Sequence, residues 1–299
     1  MADYIHIDRL PKLRRPILLT AFEGWNDASE VATGALRSLM KRWSGEQFAR
    51  FDPEEFYDFT ETRPMVVYDD DGQRSVTWPE NSFAHCTKVQ LEHDIVLFLG
   101  TEPQLKWRTY TDQILDMARQ LDVTLVVSVG GLLADVPHTA PPVITGSATE
   151  PALRDKLLAL GTTTTRYQGP TGIVGVLQDA CRRHSMPAGS IWGSVPHYLR
   201  GTVPNPPVQT ALLRTLSNTL ELGLDLAWQD RQSARFRRQV DEAVSDNEAL
   251  AEHIKELEQR VGGHQAEQIE QSPLPSGEEF VRGIEDFLRR QNRQQGDQE

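Results

Sequence analysis

The stretch Ile17-Leu18-Leu19-Thr20-Ala21-Phe22, followed by Glu23-Gly24-Trp25-Asn26-Asp27, decides the fold class. Its first six residues show almost no polar alternation, which predicts a strand covered on both faces. Apolar residues then recur at intervals of three and four over 28–43, which predicts an amphipathic helix. Asp27 and Glu30 fit the start of that helix as an N-cap pair. A buried strand that leads into an amphipathic helix is the repeating unit of an α/β protein.

The same alternation continues along the chain. Short apolar runs predict further strands at 95–99, 123–129, 163–167 and 190–194, and helical spacing recurs at 107–121 and 173–181. Strands that alternate with helices imply a mainly parallel sheet with right-handed crossovers. The sequence therefore predicts a three-layer α/β/α architecture.

A hairpin interrupts this order. Met65-Val66-Val67-Tyr68 and Ser75-Val76-Thr77-Trp78 flank Asp70-Asp71-Gly72, whose Asp-Gly step tolerates the positive φ of a tight turn. We expect this hairpin to add an antiparallel component to the sheet, so that the sheet is mixed but mainly parallel.

The character of the chain changes after Pro204, Pro206 and Pro207, where strand patterns end. Eight positions then alternate by four and three, as in a heptad seam. A second helix or a second chain must cover such a seam, which favours a helix hairpin or coiled coil over an ordinary surface helix. The seam consists of Phe236, Val240, Ala243, Asn247, Leu250, Ile254, Leu257 and Val261, and Asn247 would fix its register.

Two helices are candidates to cover the seam. Leu212, Leu213, Leu216, Leu220, Leu224 and Trp228 give the preceding helix an apolar face, and a last helix is predicted from the capping box Ser276-Gly277-Glu278-Glu279. Gly262-Gly263 would end the seam helix, and the polar tail 291–299 is predicted to be disordered. The expected organisation is a core domain at 1–229 and a C-terminal helical arm at 230–299.

The composition and net charge of the chain indicate which partners and which cellular compartment to expect. The 299 residues carry 31 Lys and Arg against 43 Asp and Glu, a net charge of −12, which predicts neither nucleic acid nor an anionic membrane as partner. Cys86 and Cys181 lie in no metal or redox spacing and are expected to be free thiols of a reducing compartment. The first residues lack the features of a signal peptide, so a cytoplasmic location is expected.

Candidate chemistry lies in the loops after the strands, where α/β proteins bind ligands. We expect Glu23, Asp27, Glu102, Asp135, His138 and His197 to converge there on one rim. Glu102, Asp135, His138 and His197 are the catalytic candidates, since a carboxylate beside an imidazole can exchange protons, and Asp135 with either histidine could bind a metal.

The plainer interpretation of these loops is structural, and we favour it. Asp27 would cap its helix, Gly24, Gly130 and Gly131 would permit tight turns, and Pro137-His138 would shape a loop. The sequence has no G-x-S-x-G elbow and no G-x-x-x-x-G-K-[ST], although Gly172 opens a helix whose N-terminus could accept an anion. Neither a cofactor nor a resident metal is predicted.

The same loops carry a family resemblance. From about Pro16 to Tyr198 the chain resembles the proteasome assembly chaperone type 2 family, above all its actinobacterial branch with a long helical C-terminal arm. The loop residues that match include Gly24, Trp25, Asp27, Gly130, Gly131, Gly172 and Tyr198. The matching motifs, in order, are Gly24-Trp25-Asn26-Asp27-Ala28, Gly100-Thr101-Glu102-Pro103, Gly130-Gly131, Pro137-His138-Thr139, Gly169-Pro170-Thr171-Gly172-Ile173-Val174-Gly175 and Pro196-His197-Tyr198.

The resemblance implies an α/β/α core similar to phosphorylase and hydrolase folds, self-assembly into rings or trimers and, in eukaryotic relatives, chaperoning of proteasome α-rings. Archaeal relatives can engage the proteasome through a C-terminal hydrophobic-tyrosine-any tail. This sequence ends in Gly296-Asp297-Gln298-Glu299, which does not match that tail.

Three functions follow as hypotheses. The first is a non-catalytic homo-oligomer, a trimer on the family pattern, that binds the proteasome or another protein. The alternative is a small-molecule hydrolase or phosphorylase-like enzyme that uses Glu102, Asp135, His138 and His197. The third is a purely structural oligomer. Position discriminates between the first two, because a catalytic set must lie within hydrogen-bond reach.

Overall fold

The computed structural model describes residues 4–69, 71–87, 91–164, 167–201 and 204–263. Ten strands and seven α-helices alternate along these residues. The strands are β1 (Ile5–Ile7), β2 (Ile17–Glu23), β3 (Glu46–Phe51), β4 (Met65–Tyr68), β5 (Arg74–Thr77), β6 (Asn81–Cys86), β7 (Ile95–Thr101), β8 (Leu125–Ala134), β9 (Ile144–Ala148) and β10 (Ala188–Pro196). The helices are α1 (Val31–Arg42), α2 (Trp107–Gln120), α3 (Pro151–Ala159), α4 (Ile173–Arg183), α5 (Pro206–Leu220), α6 (Ala227–Ser245) and α7 (Glu248–Gly263).

Eight strands form one mixed sheet in the order β1-β3-β6-β7-β2-β8-β10-β9. The four central strands, β7, β2, β8 and β10, are mutually parallel, and antiparallel strands extend the sheet on both sides. With β3, five of the eight strands run in the same direction. The predicted mixed, mainly parallel sheet is confirmed.

Side-chain alternation along β2 divides the core into two layers. Leu18 and Phe22 join a cluster that includes α2 and α4, whereas Leu19 and Ala21 join a cluster with α1 and α5 on the opposite face. Both clusters are buried, which is why β2 is apolar except for Glu23 at its end and Thr20, whose hydroxyl donates to Ser128 Oγ at 2.9 Å. Helices on both faces of the sheet make the predicted three layers.

Two strand predictions were wrong in detail. The hairpin of β4 and β5 exists, but it forms a separate two-stranded sheet and adds nothing to the main one. The expected strand at 163–167 is reduced to an isolated bridge between Thr145 and Thr163, and residues 165 and 166 lie outside the described part. The antiparallel component comes from β1, β3, β6 and β9 instead.

The arm is not one continuous helix. α6 ends at Ser245 and α7 begins at Glu248, because Asn247 leaves the helical path and its side chain accepts the Leu250 N–H at 3.1 Å. Asn247 is therefore the N-cap of α7 and does not set a seam register. The break lets both halves of the seam face the same apolar cluster.

Of the two predicted covers of the seam, the first was wrong and the second is not tested, because the apolar face of α5 does not join the seam cluster. Leu212, Leu213 and Leu216 of α5 pack into the sheet, and Trp228 is exposed. The seam residues pack instead on one another and on Tyr198 and Leu199, which follow β10. The second candidate, the helix predicted from Ser276, and the predicted tail lie outside the described residues, as does the side chain of Val261. The cluster consists of Tyr198, Leu199, Phe236, Val240, Leu250, Ile254 and Leu257.

Replacing Asn247 with Ala should destabilise α7 by about 1 kcal/mol, because the Leu250 N–H then lacks its acceptor. Amide hydrogen exchange in α7 should accelerate accordingly, while exchange in β2 stays as it is. Asn247→Asp is the matched control, since an aspartate side chain caps a helix equally well. Equal exchange in the Ala and Asp variants would contradict a capping role.

Candidate functional site

The turn after β2 is built around the buried carboxylate of Asp27, which is 6 % exposed. It accepts the Ala32 N–H at 2.6 Å and the Thr33 N–H at 3.1 Å, and the Thr33 hydroxyl also donates to it. The expected helix cap is confirmed, although Glu30 does not complete a capping box and approaches Arg37 at 3.7 Å instead. Burial raises the pKa of Asp27 to about 6.

Asp27 can reach the helix because the chain first makes a short 3₁₀ turn over Ala28–Glu30. Ser29 and Glu30 both adopt left-handed backbone angles, with φ of 52° and 51°. Two successive non-glycine residues in the left-handed region are strained, so neighbouring contacts must stabilise them. The Ser29 hydroxyl helps to stabilise this turn by donating to the carbonyls of Leu199 and Arg200, both at 3.1 Å.

Glu102 joins three loops. Its Oε1 accepts the Asn26 side-chain amide at 2.6 Å and the N–H of Ile173, the first residue of α4, at 2.7 Å. Gly172 leaves room for this contact, since a Cβ there would lie 2.3 Å from Asn26 Oδ1 and 2.7 Å from Glu102 Oε1. The N-terminus of α4 was a candidate anion site in the sequence, but the Glu102 carboxylate of this chain already occupies it.

The glycines for which tight turns were predicted have different structural roles. Gly24 has a φ of +110° and makes the expected turn, beside the exposed indole of Trp25. The turn predicted at Gly130 and Gly131 was wrong, because both lie inside β8. A Cβ at Gly130 would lie 2.3 Å from the Trp192 ring, so this residue provides close packing instead of a turn.

A buried polar network lies at the end of β7, and no pattern in the sequence predicts it. The Asn81 side chain donates to the Tyr57 hydroxyl and accepts the Tyr110 hydroxyl at 2.7 Å, and Tyr57 donates to the Thr101 carbonyl. Burial raises the pKa of Tyr57, so its hydroxyl stays protonated. The network holds the carbonyl of Thr101 next to Glu102.

His138 connects the core to the arm. Its Nδ1 lies 2.8 Å from the Tyr198 hydroxyl oxygen, which also accepts the His138 backbone N–H at 2.7 Å. Its Nε2 lies 3.0 Å from Asp241 of α6. Burial lowers the pKa of His138 more than Asp241 raises it. Tyr198 and Asp241 therefore hold a mostly neutral imidazole at both nitrogens.

His197 makes a second contact between the core and the arm. Its ring lies edge-on to that of His253 in α7, with centroids 5.4 Å apart. Asp135 Oδ1 lies 3.0 Å from His197 Nδ1, but without the angle of a hydrogen bond. Burial lowers the pKa of His197. Nearby, the Thr139 hydroxyl donates to Glu258 of α7 at 2.6 Å.

The described contacts divide the candidates into two groups, and the convergence of all six on one rim stays a prediction. Glu102 bonds the β2 turn and α4, whereas His138 and His197 contact the arm. Among the described residues no three Asp, Glu, His or Cys side chains come together as metal ligands. Among the four catalytic candidates, the described contacts bring one carboxylate next to one imidazole, and these belong to Asp135 and His197.

The two cysteines are buried and free, as the sequence suggested. Burial raises the pKa of the Cys86 thiol to about 11 and that of Cys181 to about 12. Neither thiol is a ready nucleophile at neutral pH, because only the thiolate attacks. Within the described helices none is long and apolar enough to cross a bilayer.

The lowered pKa of His138 predicts how stability depends on pH. A histidine whose pKa is lower in the folded than in the unfolded chain contributes stability above the unfolded value of about 6.5, and this is lost as the pH falls toward the folded value. The free energy of unfolding of the wild type should therefore fall more between pH 7.5 and 5.5 than that of His138→Gln. Urea unfolding at each pH measures it.

Leu158→Gln is the control, since it places the same amide at an exposed position without removing a titratable group and should leave the pH dependence as in the wild type. Asp27 contributes to the pH dependence of stability with the opposite sign to His138. Because all three proteins contain Asp27, its contribution cancels when their pH dependences are compared. Parallel curves for the wild type and His138→Gln would show that His138 is not held neutral.

Comparisons with known proteins agree on one family. The model of the PAC2 family matches residues 21–244. A crystal structure of a PAC2 family protein from Streptomyces avermitilis is 38 % identical, with a TM-score of 0.72, and the match covers 80 % of this chain and 99 % of that one. A proteasome-assembly chaperone homologue from Mycobacterium tuberculosis is 37 % identical, with the same TM-score and coverage.

More distant structures share the fold alone. PbaB from Pyrococcus furiosus, described as an archaeal proteasome activator, has a TM-score of 0.63 at 16 % identity over 80 % of this chain and 97 % of that one. No curated protein matches the sequence significantly.

Proposed function

This chain belongs to the PAC2 family, and from that premise we propose that it is a non-catalytic, self-assembling protein with an assembly-chaperone-like role. Its proposed partner is a proteasome-related protein, as the description of the Mycobacterium tuberculosis relative suggests. The proposal includes no cofactor and a cytoplasmic location.

The observation that carries the proposal is the hairpin of β4 and β5. All eight of its strand residues are exposed, and it is not hydrogen-bonded to the main sheet. An isolated two-stranded hairpin is marginally stable in water and offers unpaired backbone groups at both edges. Exposed apolar surface of this kind marks a site of protein interaction.

One face of the hairpin is better suited to binding than the other. Val66 pairs with Val76 and Tyr68 with Arg74, so these four side chains share a face, which Trp78 continues. The opposite face presents Met65, Val67, Ser75 and Thr77. The large apolar side chains of the hairpin are 44–68 % exposed, and Trp78 is anchored by an edge contact with Phe59 at 4.8 Å.

The charges near this face define the partner. The hairpin turn carries Asp69 and Asp71, which outnumber the one cation of this face, Arg74. The whole chain has a net charge of −12, so a second copy would bring like charge to the contact. A partner with an apolar cleft rimmed by basic side chains complements it. We therefore assign the hairpin to the partner protein, and self-assembly to another surface.

The contacts of two of the four catalytic candidates, Glu102 and His138, support the non-catalytic part of the proposal. Glu102 caps α4, and His138 is hydrogen-bonded at both ring nitrogens. These are the contacts of residues that fix loops, whereas an acid/base pair needs a face open to substrate.

A binding measurement with purified proteasome α- and β-subunits of the source organism tests the partner. The triple variant Val66→Thr, Tyr68→Thr, Val76→Thr keeps strand propensity and removes the apolar face. We expect saturable binding by the wild type and binding at least tenfold weaker by the variant, a loss of about 1.4 kcal/mol or more.

Leu158→Gln with Leu160→Gln is the control, since it removes exposed apolar side chains elsewhere and should leave binding unchanged. No binding of the wild type to any subunit would overturn the proposed partner, and equal binding by the triple variant would overturn the role of the hairpin. Native mass spectrometry tests self-assembly, with a trimer expected at three times the 33.7 kDa chain; a monomer would refute it.

A further inference from the structure

The solvent side of α6 carries a row of arginines that begins with a tryptophan. The four positions are three or four residues apart, so their side chains lie on the same side of the helix. All four are exposed, and Trp228 is 59 % exposed although tryptophan is on average highly buried. This arginine row consists of Trp228, Arg231, Arg235 and Arg238.

The three arginines of the row have no partner in the part of the chain that the structure describes. None of their guanidinium groups takes part there in a hydrogen bond or an ion pair. Glu242, four residues after Arg238, shares this side of the helix and can offset part of its charge. Arg231 and Arg235 therefore carry most of the uncompensated positive charge.

The other two carboxylates of α6 are engaged elsewhere. Asp230 pairs with Arg214 at 2.5 Å, and Asp241 lies 3.0 Å from His138. The arginine row thus stays positive and displays an indole beside its charges. Tryptophan and arginine are the residues that contribute most often to binding energy at protein interfaces, so this row has the composition of a contact site for an acidic surface.

The helix that follows presents the opposite charge. Glu248, Glu252 and Glu256 recur every four residues on the exposed side of α7, and we call them the glutamate row. Glu256 lies 3.9 Å from His253, whereas the carboxylates of Glu248 and Glu252 have no ion pair or hydrogen bond among the described residues. Lys255 offsets one of the three charges, so the glutamate row keeps a net negative charge.

Within one chain the two rows do not meet. The seam side chains of α6 and α7 face the apolar cluster with Tyr198 and Leu199, and no ion pair between described residues joins the arginine row to the glutamate row. A second copy can supply the complement that each row lacks, because every copy carries both. The net charge of −12 does not prevent this contact, since charges more than about 10 Å apart are largely screened at 0.1 M salt.

We propose that the arm mediates self-assembly, with the arginine row of one copy packed against the glutamate row of the next. This inference rests on the proposed function, whose self-assembly it assigns to a surface. The contact joins two different surfaces, so it can repeat from copy to copy and close a ring, as a trimer requires. Trp228 adds the apolar part of the contact beside the charges.

Charge reversal tests this contact, with self-association of the full chain measured by sedimentation velocity over a range of concentrations. Arg231→Glu with Arg235→Glu should weaken self-association at least tenfold, because it places like charges opposite each other. Glu248→Arg with Glu252→Arg should weaken it from the other side. A variant with all four substitutions has opposite charges again and should recover the association of the wild type.

Arg9→Glu with Arg63→Glu is the matched control. It changes the net charge as much as the reversal on α6 does, but at exposed arginines outside the arm, and it should assemble as the wild type does. Recovery by the fourfold variant also separates a lost contact from a misfolded arm, because substitutions that unfold α6 or α7 would not restore assembly when combined.

The possible failures are distinguishable. A monomeric wild type would refute the proposed self-assembly and this contact with it. If the wild type is an oligomer, three results would overturn the arm contact alone: undiminished association of either double variant, equal loss of association in the control, or no recovery by the fourfold variant.

Discussion

Replacing Leu250 and Ile254 together with Asp should detach α7 from the core. The two side chains are 2 % and 4 % exposed and pack on the apolar cluster with Tyr198 and Leu199. Burying two carboxylates there without partners would cost about 4 kcal/mol or more, which exceeds what one helix contact contributes. The main sheet should survive, because its two clusters do not include α7.

Circular dichroism and limited proteolysis measure this result as a loss of helix content and new cleavage after residue 245. Lys255→Asp with Gln259→Asp is the control, since it adds two carboxylates at exposed positions of the same helix. Unchanged helix content and unchanged protection in the Leu250 and Ile254 variant would show that the cluster does not hold the arm. Cleavage after residue 245 would leave α6 with the core, whereas the predicted division into a core at 1–229 and an arm at 230–299 places the boundary inside α6.

Replacing Asp27 with Ala should destabilise the core by about 3 to 4 kcal/mol at pH 5. The substitution leaves the Ala32 and Thr33 N–H groups and the Thr33 hydroxyl buried without their acceptor. It also frees the strained turn at Ser29 and Glu30 from one of its anchors. Asp27→Asn, which retains one acceptor oxygen, should cost about half as much.

The pH dependence separates this effect from a general loss of packing. The pKa of Asp27 is about 6 in the folded protein and near 4 in the unfolded chain, so its contribution is full below about pH 4 and declines as the pH rises through 6. The wild type and Asp27→Ala should therefore differ less at pH 7 than at pH 4.5 in urea unfolding. A constant difference, or no difference, would contradict the assigned role.

The central strands could be predicted from the sequence because burial on both faces requires mostly apolar residues within the strand itself. β2, β7 and β8 are covered on both faces and are mostly apolar, whereas Ser190 and Ser194 interrupt the apolar pattern of β10. β3 and β6 read as Glu46-Gln47-Phe48-Ala49-Arg50-Phe51 and Asn81-Ser82-Phe83-Ala84-His85-Cys86, where polar residues interrupt the pattern. Their position depends on the pairing of β6 with β7 and of β3 with β6, which periodicity does not encode.

The site residues show the same division between local and distant causes. The cap made by Asp27 was predictable because the N–H groups that donate to it lie only five and six residues away. The bond from Ile173 to Glu102 joins residues 71 positions apart, and nothing near either residue indicates the other. Asn247 looked like a seam residue because it kept the four-three spacing, but local capping chemistry prevailed over the heptad.

The position of β2 at the centre of the sheet has a consequence for synthesis of the chain. Its hydrogen-bonded neighbours are β7 and β8, which begin at Ile95 and Leu125. At about 5–20 residues per second, the ribosome needs roughly 4 to 14 seconds to add the about 70 residues between β2 and β7. Throughout that interval β2, which is almost wholly buried in the folded protein, has no neighbouring strand to pair with. Fast translation should therefore improve the yield of native protein. Ribosomal pausing before Ile95 should favour aggregation.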